Sequence, residues 1–154
     1  MGSDTDILSE IDAAFGGCPK PEHFGDYAHC EECAEHDEVL RDRSRATLAI
    51  EDVGNVGWDP VAFSNAAGIA HYFPTLARLA MSPPTYKYGW YGDLLLIHLT
   101  YQNTENRLLR FCDPQQRRAV GHMLRHLEEH FWDTRTSITS NEDFAEARAL
   151  WNEP

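Results

Sequence analysis

Apolar residues return at helical spacing along most of the chain. Ile7, Leu8, Ile11, Ala14 and Phe15 share one face over residues 4–15, and Gly16-Gly17 is placed to stop that helix as C-terminal glycines do. From Cys30 to about Arg43 the positions Cys30, Cys33, Ala34, Asp37 and Leu40 recur at the same spacing, so the two cysteines are expected on the buried stripe of a second helix. A short helix is expected over 46–52, ended by Gly54. Asn65 or Ser64 caps the dense apolar set Ile69, Ala70, Phe73, Leu76, Ala77, Leu79 and Ala80, with Pro74 in its middle. Proline removes one backbone bond and should kink that helix or divide it.

The aromatic run Tyr86, Tyr88, Trp90 and Tyr91, interleaved with Gly89 and Gly92, predicts a minor hairpin or extended segment over 85–92. Residues 93–101 and 105–112 read as further helices. Asp113-Pro114-Gln115-Gln116 is an N-terminal capping signature, with Asp at the cap, Pro at the first helical position and Gln at the third. The helix behind it runs to about Trp132 with Val120, Met123, Leu124, Leu127 and Phe131 inward. Ser140 opens a last helix with Phe144, Ala147, Leu150 and Trp151 inward. The pattern predicts an all-α fold, one mostly helical domain over 1–154, with no repeat and no linker. Met1-Gly2-Ser3 carries no weight in this reading.

Composition adds little to the fold but restricts function. At 154 residues the chain can bury enough apolar surface to fold without staples. Its longest apolar run, Leu94 to Leu99, is far short of the roughly 20 residues that span a bilayer. No leader pattern opens it, so a cytoplasmic protein with no membrane contact is expected. The net charge of −12 is concentrated. Residues 1–60 hold 15 acidic and 4 basic side chains, whereas the rest is nearly balanced. A phosphate-binding surface needs the opposite sign, which excludes nucleic acid as an expected partner.

Chemistry-bearing residues gather at 18–36, where three of the four cysteines and three of the eight histidines lie, rich in Pro and Gly between them. This stretch is read as a Cys/His-rich loop–helix knot. Cys30-x2-Cys33 is half of a structural zinc site, and Cys18 and His23 are its favoured second pair, with His29 as the alternate ligand. His36 is excluded on a continuous helix, being about 9 Å from Cys30 along the axis. Buried small hydrophobes and a redox dithiol are the other readings. The redox reading ranks last, because Glu31, Glu32 and Glu35 oppose a thiolate about as strongly as the helix dipole favours it. His122, His126 and His130 trail along one helix flank as surface residues, with His130 nearest the apolar stripe. His71 and His98 are core-edge residues bonded to neighbours.

His29-Cys30-Glu31-Glu32-Cys33 and the segments Trp58–Phe63 and His71–Leu79 resemble a group of small bacterial proteins with an early cysteine pair and a mid-chain aromatic-Pro segment. That resemblance implies no activity. It implies that the cysteine pair and Pro74 belong to one structural unit, although Phe73-Pro74-Thr75 stands where the group has Leu-Pro-Ala. Two functional expectations follow from the residues. The first is a non-enzymatic acidic helical binding module of inhibitor, immunity or adaptor type, docking a basic protein through Glu31, Glu35 and Glu38. The second is a small metal-dependent hydrolase with an open metal position, its pocket near His71 and His98.

Overall fold

Ser3 starts the first helix by exchanging bonds with Asp6: the Asp6 N–H donates to Ser3 Oγ, and the Ser3 N–H donates to the Asp6 carboxylate. Ser3 therefore belongs to the folded unit. The computed structural model describes residues 2–152, so Met1, Glu153 and Pro154 of the expected domain lie outside the described residues. Eight α-helices form among them, and no sheet. They are α1 (Asp4–Phe15), α2 (Glu31–Asp42), α3 (Ile50–Val53), α4 (Ala66–Ala80), α5 (Tyr91–Thr100), α6 (Arg107–Phe111), α7 (Pro114–His130) and α8 (Asn141–Asn152). The fold is a mostly helical single domain. No helix of the described residues is long and apolar enough to cross a membrane.

The predicted caps hold at α4, α7 and α8. Asn65 Oδ1 accepts the Gly68 N–H at 2.8 Å, Asp113 and Gln116 form the reciprocal box, and Ser140 does the same with Asp143. Helix α7 lies between α1 and α8; α1 packs on α4, and α4 reaches α5 and α6. The apolar faces meet at Ile11, Phe15, Phe73, Leu76, Val120, Met123, Leu124 and Trp151, all fully buried. Phe131 and Leu150, predicted inward, sit only partly buried at the edge of this core.

Three local expectations take a more specific form. Gly16 has φ −58, so α1 does not end on a left-handed glycine. Instead the Arg45 guanidinium collects the carbonyls of Phe15 (3.1 Å), Gly16 (3.1 Å) and Cys18 (3.1 Å), satisfying a helix end with a cation. Helix α4 is not divided at Pro74. The same Arg45 donates through Nε to the His71 carbonyl at 2.6 Å, in the turn the proline disrupts, and Thr75 Oγ1 donates back to the Arg45 carbonyl at 2.8 Å. The aromatic hairpin is a single bridge, with Thr85 and Gly89 exchanging both backbone bonds around Tyr86-Lys87-Tyr88 and Gly89 supplying φ +70. Tyr91 and Gly92 belong to α5.

Candidate thiol and imidazole site

Cys30 does not enter α2. Its backbone is extended (φ −164, ψ 171), and its Sγ accepts the Cys33 N–H at 3.3 Å, the role an N-cap Ser or Asp usually fills. One turn on, Cys33 brings its sulfur to 3.1 Å from that of Cys30, and His29 Nδ1 lies 3.6 Å from Cys33 Sγ. The three ligand atoms all fall within 4.8 Å of one another, at the surface, and as a group they can hold a metal ion. Both cysteines are free thiols.

Negative charge collects on one sulfur. Hydrogen bonds from the Cys33 thiol and the Cys33 N–H, then from His29, lower the Cys30 pKa to about 7. Cys33 moves up, chiefly because of its bond to Cys30. The Cys30 sulfur raises His29, with Asp26 adding to it. The expected cancellation between helix dipole and glutamates omitted these direct bonds, which are short-range and specific to the N-cap position. They are what sets Cys30 apart.

The four-ligand set Cys18, His23, Cys30 and Cys33 does not assemble. His23 Nδ1 is held at 2.7 Å by Asp37 Oδ2, its ring stacked on Tyr27 at 3.9 Å. Asp37, buried on α2, also accepts the Phe24 N–H, so it fixes the loop and keeps His23 away from the thiols. Cys18 packs against the core with Gln116 Nε2 at 3.4 Å from its sulfur, and burial pushes its thiol pKa up. His29, the alternate ligand, is the one that joins the pair. Nor do the cysteines share the buried stripe: Cys30 is exposed and Cys33 half-buried, and the inward positions of α2 are His36, Asp37 and Leu40. His36 lies between Trp58 and Phe63 (ring centroids at 4.5 and 4.4 Å), gives Nε2 to Glu32, and leaves Nδ1 without a partner.

The other histidines are mostly structural. His71 Nδ1 is 3.0 Å from the Cys18 carbonyl, and His98 Nε2 is 2.8 Å from Asp59 Oδ2, both bonded to neighbours as expected. On α7 the buried member is His126, not His130; it meets Asp4 of α1 at 2.6 Å, and His122 meets Glu10 at 2.8 Å. The signal for this was the acidic side of α1, which matters only once α1 is known to pack on α7.

Glu31, Glu35 and Glu38 are all exposed on the outward face of α2, continued by Asp42. No family model, no curated protein and no solved structure matches the chain.

Proposed function

We propose that the chain is a non-enzymatic binding module in which His29, Cys30 and Cys33 hold a zinc ion and the acidic face of α2 docks a basic protein. The observation that carries this is the convergence of three nitrogen and sulfur ligands within 4.8 Å at the first turn of the helix that presents Glu31, Glu35 and Glu38. Two thiolates and an imidazole suit zinc, which takes four ligands; the fourth position is left to solvent or to a partner side chain. An open position is also what a metal-dependent hydrolase needs. That alternative has less support, because the hollow beside Cys33 holds about 20 Å³, room for one water and no substrate.

A second reading is favoured by Cys30 itself. A thiol with a pKa of about 7 whose neighbour lies 3.1 Å away can reduce a disulfide substrate: the Cys30 thiolate attacks one substrate sulfur and expels the other as a thiol, and Cys33 then displaces the bound half as a second thiol, closing the Cys30–Cys33 disulfide. Cobalt titration of the reduced protein separates the two. The zinc reading expects one ion per chain with thiolate-to-cobalt charge-transfer absorption, lost in Cys30→Ser and Cys33→Ser and kept in Cys18→Ser and His23→Ala. No saturable absorption, with a Cys30–Cys33 disulfide forming in air, would replace it by the redox reading. For docking, a lysine-rich peptide at low salt should lose its binding on Glu31→Lys with Glu35→Lys and Glu38→Lys. It should keep it on reversal of the exposed Glu129, Glu142 and Glu146. Equal losses would reduce the docking to bulk charge.

A further inference from the structure

Away from the thiols, α5 and the turn at Pro60–Phe63 border a cleft of about 380 Å³, inside the roughly 300–1,000 Å³ range of small-molecule sites. Its walls are apolar and open to water: Phe63, Ile97 and Tyr101 are 46%, 45% and 58% exposed, with Leu94 between them. A carboxylate, an imidazole and a guanidinium line it as well, from Asp59, His98 and Arg107. Asp59 is buried and already engaged, its Oδ1 accepting the Val61 N–H at 3.0 Å and its Oδ2 facing His98 Nε2 at 2.8 Å. Arg107 is fixed by the backbone: Nε donates to the Ser64 carbonyl at 2.7 Å, and Nη2 to the carbonyls of Val61 (3.1 Å) and Ala62 (3.2 Å).

Capping the turn explains those bonds but not the rest of the guanidinium. Among the described residues, the two N–H groups of Arg107 Nη1 and the Nδ1 of His98 have no protein partner. With Asp59 occupied on both oxygens and His98 paired with it through Nε2, Arg107 is the cation with free N–H groups, and its immobilised plane suits a carboxylate. An adjoining hollow shares Leu94 and Ile97 and is lined by Tyr91, whose buried hydroxyl is likewise unpartnered.

We infer that this cleft is a binding site for a small carboxylate with a short apolar body, the carboxylate on Arg107 Nη1 and the body between Phe63, Leu94 and Ile97. The inference is independent of the metal reading. It is tested by following backbone amides of the full chain by NMR while adding hexanoate, hexanol or hexylamine. Hexanoate should give saturable shifts at residues 62–63, 97–101 and 107, and the other two should bind at least about tenfold more weakly, a difference of about 1.4 kcal/mol. Ala62→Trp, at an exposed position on the cleft wall, should abolish the shifts while the circular dichroism and Tm stay at wild-type values. Arg107→Met should erase the preference for the carboxylate; because Arg107 also caps the turn, the Ala62 variant carries the test if that protein does not fold. Hexanol binding as tightly as hexanoate, undiminished titration of Ala62→Trp, or no saturable shift with any probe would each overturn the inference.

Discussion

The bundle of α1, α4, α7 and α8 and the segment from Cys18 to Phe63 are held by different forces. In the bundle, mainly apolar side chains fill the space between helices, and Phe73, Leu76, Met123 and Leu124 are wholly buried. In the segment, order comes from single polar groups that capture backbone atoms. Lys20 Nζ donates to the Arg41 and Arg43 carbonyls at 2.6 Å each, Tyr72 Oη to those of Leu40 and Arg43, and Arg45 to four more. Apolar contact is non-directional and shared among many residues. A captured carbonyl depends on one donor, so the segment should fail locally where the bundle fails as a whole.

The sharpest way to break this contrast is a deletion on each side. Phe73→Ala should cost about 3–5 kcal/mol and lower the urea midpoint for every probe together, since its cavity sits where α1 meets α4. Arg45→Met should cost less, about 2 kcal/mol, because the released carbonyls near the surface recover bonds to water. Its signature is regional: faster amide exchange over residues 15–29 and 43–48 with the α7 amides unchanged. If α7 amides accelerate equally, the two regions are one cooperative unit.

A smaller effect, on reactivity rather than stability, is expected at the junction of the two regions. The pKa of Cys30 is lowered, so its thiolate is present above about pH 7 and lost below it. Iodoacetamide labelling of Cys30 should therefore rise with pH to half its maximum near 7. Cys33→Ala, which removes the thiol bonded to it without supplying another donor, should move that midpoint upward; an unmoved midpoint would assign the shift to the backbone N–H and His29. The smallest effect is expected from charge reversal at Glu31, Glu35 and Glu38, which are exposed and should change stability by no more than about 0.5 kcal/mol each.

The same contrast explains which residues were legible. Asn65, Asp113 and Ser140 announce their helices because a cap acts on its own next turn, and Val120, Leu124 and Phe144 announce the core because periodicity is local. Arg45 carries no such mark. Its partners lie 26 to 30 positions away, so nothing near it in the chain distinguishes it from Arg41 or Arg43. His23 and Cys18 were drawn into the metal set by spacing alone, and Asp37 and Gln116 removed them.

By itself, then, the sequence determined the helical class, the capped ends, the inward faces and the concentration of acid and thiols before residue 60, since each depends on neighbours within a turn or two. Tertiary structure decided which atoms meet. Whether Cys30 lies inside α2 or caps it turns on one residue's φ, which moves its sulfur from a buried stripe to the surface. Whether His98 and Arg107 line a cleft turns on how the turn at Pro60–Phe63 packs against α5 and α6. Such placements are set by long-range contacts whose free energies are shared across the whole core, and no local pattern encodes them.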